Sequence, residues 1–259
     1  MEYRSLYALG KEKLAAAGIP EADLDARLLL EYVCHTSRND LLVHGEQPVA
    51  PEAEEKYLNW IRQRAEHIPL QQLTGEQGFM GLTFSVNEHV LIPRQDTEIL
   101  VEEVLKELHD GMRVLDMCTG SGCILLSLLH YSNDCEGLGV DLSAEALEVA
   151  GRNVLKVLTP EKAEHAHFLQ SDLFEKVEGK FEIIVSNPPY IASAEVEKLM
   201  PEVRDHEPRM ALDGTEDGLH FYRRIIEEAG KHLVSSGMLF FEIGYDQGQA
   251  VSELMRTEG

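Results

Sequence analysis

Basic residues are scarce in this chain of 259 residues: 23 Lys and Arg stand against 46 Asp and Glu, a formal net charge of −23. A protein that tracks a nucleic-acid backbone needs a basic surface, because phosphate contacts dominate that affinity. This chain is poorly suited to that task, no direct nucleic-acid partner is expected, and most of its acids are read as solvating the surface. Cysteine is also sparse. Cys34, Cys118, Cys123 and Cys135 show no Cys-x-x-Cys spacing, so neither a zinc site nor a disulfide framework is indicated and a reduced cytoplasm is the expected location. His165 and His167 flank Ala166 with no second ligand pair nearby, so no metal is expected. No run of about 18 uncharged apolar residues occurs, and Met1-Glu2-Tyr3-Arg4 leads into no apolar segment, so neither a membrane span nor an export signal is expected. The expected state is a monomer.

What the chain has is enough apolar residue, 44%, to bury a sizeable core. From Tyr3 to about residue 68 the pattern is helical. Tyr3, Leu6, Tyr7 and Leu14 recur at helical spacing until Gly18 and Pro20, Leu24 to Cys34 carry a second apolar face, and Pro51 opens a third helix with Tyr57, Trp60 and Ile61. A small bundle over 1–68 follows, with Trp60 in its core. Residues 69–93 change character: Gly75, Gly78 and Gly81 punctuate them and Leu82-Thr83-Phe84-Ser85-Val86 alternates, which predicts a β-hairpin linking two domains. A helix is expected over 98–108, with Asp96 or Thr97 as its N-cap.

The remainder, 94–259, reads as a doubly wound α/β domain. Arg113 to Met117 is a strand, Cys118-Thr119-Gly120-Ser121-Gly122 a turn, and Cys123 onward a helix; glycines here let a bound molecule approach backbone amides at a helix start. Asp141 ends the next strand about 20 residues past the turn, where an acid can accept hydrogen bonds from ribose hydroxyls. A dinucleotide fingerprint wants three glycines around a pyrophosphate, and this turn supplies only Gly120 and Gly122. S-adenosylmethionine carries no phosphate, and its cationic sulfonium suits acids such as Asp116, Asp141 and Asp172. Leu142 follows Asp141, and Ser171-Asp172-Leu173-Phe174 falls where an adenine would lie between a carboxylate and apolar side chains.

Phe181-Glu182-Ile183-Ile184-Val185-Ser186 is a buried parallel strand, stopped by Asn187-Pro188-Pro189-Tyr190. The prolines donate no backbone hydrogen bond, and Pro188 keeps Asn187 out of the helical region at the carboxyl end of the strand. An Asn followed by rigid carbonyls and an aromatic ring can accept both hydrogens of a planar NH2 group while the ring packs on its plane. Taken alone, the same tetrapeptide could merely end a strand.

Together these residues resemble the HemK-type peptide chain release factor glutamine methyltransferases over essentially the whole chain. Matching pieces include Pro69-Leu70-Gln71, Leu91-Ile92-Pro93-Arg94 with Thr97-Glu98, Asp116 with Thr119-Gly120-Ser121-Gly122, Asn187-Pro188-Pro189-Tyr190-Ile191, Glu207-Pro208-Arg209, and Glu216-Asp217-Gly218-Leu219. The resemblance implies an S-adenosylmethionine-dependent methyltransferase fold with a helical N-terminal domain that binds the release factor. It also implies methyl transfer to the side-chain amide nitrogen of the glutamine in the release factor's Gly-Gly-Gln loop, leaving S-adenosylhomocysteine. By position, Cys118 to Gly122, Asp141, Leu142, Asp172, Leu173 and Asn187 would hold the cofactor. Asn187, Pro188, Pro189 and Tyr190 would hold the glutamine, with Asn187, Pro188 and Tyr190 catalytic.

Departures from the family pattern are Cys118 in place of a glycine, Gln95 in place of a proline and Gln72 in place of a tyrosine. The family's final antiparallel hairpin is expected to be missing after the helix that ends near Arg256. Rival readings are an exocyclic amino-methyltransferase acting on a flipped base, a ribosomal-protein glutamine methyltransferase, and a catalytically idle cofactor-binding subunit.

Overall fold

The computed structural model describes residues 1–258. Its contacts divide the chain into two units, residues 1–75 with 201–206, and residues 76–200 with 207–259. The hairpin belongs to the second unit, and residues 201–206 form a short excursion of the chain that belongs to the first.

The first unit holds α1 (Tyr3–Ala16), α2 (Ala22–Cys34), α3 (Arg38–Val43), α4 (Pro51–Ala65) and α5 (Leu70–Thr74). Pro51 starts α4 because its missing N–H sits where a helix leaves one unbonded anyway. Leu6, Leu14, Leu29, Leu30, Tyr57 and Ile61 lose all solvent exposure in the bundle core. Buried Tyr57 donates its hydroxyl hydrogen to Ala26 O at 3.1 Å. Trp60, expected in the core, packs at its margin, 5.6 Å from the Tyr32 ring with Lys56 over its face.

The second unit begins with the hairpin of β1 (Glu76–Phe79) and β2 (Leu82–Ser85), turned by Met80 and Gly81, both at positive φ as a tight hairpin turn demands. Then come α6 (Gln95–Glu107), β3 (Arg113–Met117), α7 (Cys123–Tyr131), β4 (Glu136–Asp141), α8 (Ala144–Val157), α9 (Pro160–Ala163), β5 (Ala166–Gln170) and β6 (Phe181–Ser186). After them run α10 (Ser193–Val196), α11 (Pro201–Arg204, seated in the first unit), α12 (Arg209–Leu212), α13 (His220–His232), β7 (Leu233–Phe241) and α14 (Gly248–Glu258). The helix expected from 98 starts earlier, and its N-cap is Arg94, with no side-chain cap; Asp96 and Thr97 lie inside its first turn.

The sheet order is β5-β4-β3-β6-β7, every pair parallel. The central strands read as unbroken apolar runs because they are covered on both faces. Val114, Ile183 and Val185 join the cluster with α6, α7 and α8, whereas Leu115, Met117, Phe181 and Ile184 join the opposite one with Ile225 and Ala229 of α13. The order reverses between β3 and β6, so the crevice for a ligand opens where Met117 pairs with Ser186. Among the described residues β7 is an edge of this sheet, and no helix is long and apolar enough to cross a membrane.

The excursion is held in the first unit by charge. Arg64, its side chain 5% exposed, donates from Nε to Asp25 Oδ2 at 2.7 Å and from a terminal nitrogen to Glu202. Gln72 donates to His206 O at 2.7 Å. Burial pushes the Asp25 carboxyl upward, and Arg64 opposes that push. Removing the guanidinium strands two carboxylates in a dry setting, which costs on the order of 3 kcal/mol. Arg64→Ala is therefore expected to lower the urea midpoint of unfolding markedly. Lys11→Ala, which breaks the exposed pair with Asp23, should leave it unchanged. Equal midpoints for the two variants would contradict this account.

Candidate active site

One cavity of about 330 Å³ sits at the carboxyl ends of β3, β4 and β6. It is lined by Cys118, Thr119, Gly120, Ser121, Asp141, Leu142, Asp172, Leu173, Asn187 and Pro189. Gly122, Pro188 and Tyr190 do not line it. Gly122 sits at φ 78° under Leu126 and Ala150, where it caps α7 and lets that helix close on α8. Pro188 is buried. The Tyr190 hydroxyl points to Glu242 Oε1 at 3.5 Å, and its ring packs with Tyr222, Ile226 and Val251.

The turn after β3 is built on Asp116, which is fully buried. Its Oδ2 accepts from the Thr119 hydroxyl at 2.6 Å and from the Leu125 amide at 3.3 Å, while Oδ1 has no partner. Burial pushes this carboxyl up to about 7, with the nearby Asp141 adding to the rise. Cys118 holds φ at 63°, a conformation glycine adopts without penalty and an L residue only at a cost of roughly 1 kcal/mol. That φ is the physical reason a glycine is usual there. Burial also pushes the Cys118 thiol well above its ordinary range, so it stays neutral.

Asp141 is fixed by backbone donors, Gly120 N to Oδ2 at 2.9 Å and Ser143 N to Oδ1 at 3.0 Å. Each oxygen keeps lone pairs for a further donor. Asp172 faces the cavity but is paired with Arg224 at 2.9 Å, so it brings a neutralised carboxylate rather than a free one. Leu142 and Leu173 supply apolar wall, with Leu173 in the left-handed region at φ 48°.

Several contributors have roles that the sequence alone does not assign. Fully buried Asn153 of α8 donates to Ser121 O at 2.9 Å and to Ser85 O at 3.0 Å, and accepts from Ser85 N at 2.7 Å, tying the glycine turn to the hairpin. Glu207 accepts from Ile92 N at 3.1 Å and pairs with Arg94, which holds the 92–94 wall. Thr97 is 2% exposed and accepts from Asn187 Nδ2 at 3.4 Å.

The loop after β6 is braced by backbone. Ile191 N donates to Leu212 O at 3.0 Å and Gly214 N to Ile191 O at 2.8 Å, and the Gln247 side chain adds a bond from Nε2 to Tyr190 O at 2.9 Å. A Cβ on Gly214 would meet Pro189 O and Tyr190 Cα at 2.8 Å each. Neither atom can rotate away. Gly214→Val should therefore displace the Asn187-to-Tyr190 corner and cut turnover by about 100-fold. Gly230→Ala on α13, whose Cβ would meet nothing within 4 Å, should keep full turnover. Asp116 yields a separate expectation. Its folded-state pKa lies above the unfolded 3.8, so its contribution to stability is full below that value and is lost as pH rises toward about 7. Melting scans across that window should show a shallower fall for Asp116→Asn than for wild type. The residual slope belongs to Asp25, Asp141 and Glu242, which burial also raises.

Comparison with known proteins adds an independent line. Residues 5–75 match the PrmC N-terminal domain, and residues 94–203 match the methyltransferase small domain. A release factor glutamine methyltransferase of Moorella thermoacetica is 43% identical over 97% of this chain and 89% of its own length. Those of Clostridium acetobutylicum and Agrobacterium fabrum are 42% and 40% identical, over 91% and 96% of this chain and 83% and 87% of theirs. With a glycine turn, an acid-ended strand and an Asn-Pro-Pro-Tyr corner at the switch point of one parallel sheet, the chain belongs to the release factor glutamine methyltransferase family.

Proposed function

We propose that this protein transfers a methyl group from S-adenosylmethionine to the side-chain amide nitrogen of the glutamine in the Gly-Gly-Gln loop of a peptide chain release factor. The observation that carries the reading is that Asn187 and the Gly120 turn line the same cavity. A side chain turned away from that cavity would have removed its basis.

The donor set fits the cofactor. Asp141 lines the cavity with its carboxylate unpaired by any cation, Asp172 lines it paired with Arg224, and the cationic Arg94 in the wall is already paired with Glu207, a setting that suits a cationic sulfonium. Cys118 to Ser121, Asp141, Leu142, Asp172 and Leu173, which line the cavity, are assigned to hold it. When bound, S-adenosylmethionine supplies an electrophilic methyl carbon.

An amide nitrogen is a poor nucleophile because its lone pair is shared with the carbonyl. Asn187 Oδ1 and the Pro188 carbonyl are assigned to accept its two N–H bonds, which favours the pyramidal, attacking form. Pro189 closes the wall beside them, and Tyr190 supports the corner through Glu242 and Gln247. Orientation for in-line displacement can be worth about 7 to 11 kcal/mol, so no strong base is needed before attack. The neutral Cys118 thiol is no competing nucleophile. The helical unit is assigned the grip on the release factor body, and the cytoplasm, where release factors work, is the proposed location.

Incubation of purified release factor with labelled cofactor, followed by mapping of the modified residue, tests this reading. Label on the Gly-Gly-Gln glutamine is expected. Label on an oligonucleotide or a ribosomal protein but not on a release factor would overturn it. Asn187→Ala should abolish turnover while cofactor affinity, read by calorimetry, stays within about threefold, since the lost contact is to the reacting amide.

A further inference from the structure

The Asn187-to-Tyr190 corner is a short, stiff mount. Pro188 and Pro189 each hold φ near about −65°, so a displacement at one end of the corner is passed to the other with little give. At the near end, Ser186 is in register with Met117 of β3 and Phe241 of β7, which fixes the point where Asn187 leaves the sheet. The far end leans on the 212–218 loop, where Ile191 donates to Leu212 O and accepts from Gly214 N. That loop turns through the left-handed region at Thr215 and Gly218, with φ 72° and 73°, and its residues 215–217 are exposed. It needs a hold of its own.

Gln247 supplies one. It immediately precedes α14, and its carbonyl accepts from Val251 N at 3.0 Å, so the helix fixes its main chain. Its side chain reaches three segments. Nε2 donates to Tyr190 O at 2.9 Å and to Gly218 O at 3.3 Å, while Oε1 accepts from Gly244 N at 3.0 Å. All three partners are main-chain groups whose hydrogen-bonding sense cannot change: two carbonyls that only accept and one N–H that only donates. The carboxamide therefore has a single orientation and uses both of its ends. Glycine permits the close approach. A Cβ on Gly218 would overlap Tyr190 O and fall 2.7 Å from Gln247 Nε2, and one on Gly244 would fall 2.9 Å from Gln247 Oε1.

We propose that Gln247 is a positioning residue for methyl transfer: its carboxamide ties the Asn187-to-Tyr190 corner, and the loop behind that corner, to the start of α14, and its donor end sets where Asn187 stands in the cavity. The effect on turnover rests on the glutamine-methylating reading. The clip itself is independent of the substrate.

The test compares wild type with Gln247→Met, Gln247→Glu and, as control, Gln249→Ala, which removes only an exposed contact with Glu253 on the same helix. Turnover is measured with release factor and labelled S-adenosylmethionine. Gln247→Met keeps the length of the side chain and loses both N–H donors; kcat is expected to fall about 30-fold with both KM values within about threefold, whereas a residue that only filled space would tolerate Met. Gln247→Glu turns a carboxylate toward two carbonyls when ionised, a repulsion that raises its pKa, and regains one donor when protonated. Its turnover relative to wild type should be about 30-fold low at about pH 8.5 and recover to within about fivefold at about pH 5.5. Glu242 beside the Tyr190 hydroxyl, Asp217 paired with Arg223, and the adjacent Asp246 are common to both proteins and cancel in that ratio. Wild-type kcat in Gln247→Met, a loss confined to KM, a ratio flat across pH, or an equal loss in Gln249→Ala would each overturn the clip. In the wild-type protein, the Gln247 side-chain NH2 protons followed by NMR should exchange with solvent about 10-fold more slowly than those of exposed Gln249, and equal rates would overturn the clip as well. That measurement decides if neither Gln247 variant folds. It also decides if the wild-type protein fails to methylate a release factor, a result that removes the functional reading alone.

Discussion

The cavity depends on one registered contact, the parallel pairing of Met117 with Ser186 across the point where strand order reverses. Ser186 reinforces it by donating its hydroxyl hydrogen to Met117 O at 2.6 Å. Since the next residues along the two strands are Cys118 and Asn187, this pairing brings the glycine turn and the Asn-Pro-Pro-Tyr corner to one opening. A parallel sheet forces the two carboxyl ends to emerge on the same edge, and the reversal leaves room between the helices that leave it. Slipping the pairing by one residue would exchange the inward and outward faces of β6 and carry Ile184 and Val185 into the wrong clusters. Packing on both faces of the sheet therefore guards the alignment of the site.

The second constraint is electrostatic. Asp116, Asp141 and Glu242 are all buried enough for their carboxyls to rise, and each meets specific donors: Thr119 and the Leu125 amide for Asp116, the Ser143 and Gly120 amides for Asp141, and the Tyr190 hydroxyl for Glu242. Desolvation makes an ionised acid sensitive to every dipole around it. That sensitivity lets a few hydroxyls and amides define orientation in the site, work a solvated surface could not support. The many exposed acids elsewhere are screened and carry no comparable role.

Much of this was legible in the residues. β3, β4 and β6 are short apolar runs bounded by Gly, Pro or Asp, and the turn and corner that follow them are local features, so their positions could be read directly. Asp172 lines the cavity, but its pairing with Arg224 could not be read, because the partner lies on a helix far along the chain. Asp96 and Thr97 have the composition of a helix cap, yet α6 starts before them and Thr97 faces Asn187 instead. β7 starts at Leu233, with an irregular register opposite Phe181 and Ile183 that no composition announces. The roles of Asn153, Glu207 and Glu242 stayed hidden for the same reason: Asn153 reaches Ser121 and Ser85, Glu207 reaches Ile92, and Glu242 meets Tyr190, all distant along the chain, so only the fold brings them out.

The excursion of 201–206 into the first unit bears on how the chain matures. Arg64 and Asp25 emerge early in synthesis, while Glu202 follows well over a hundred residues later, a delay on the order of 10 s at ordinary elongation rates. During that interval the guanidinium lacks one of its two carboxylates, so the nascent bundle remains provisional on the ribosome. Its last ion pair closes only after the strands that carry the glycine turn and the Asn-Pro-Pro-Tyr corner have been made.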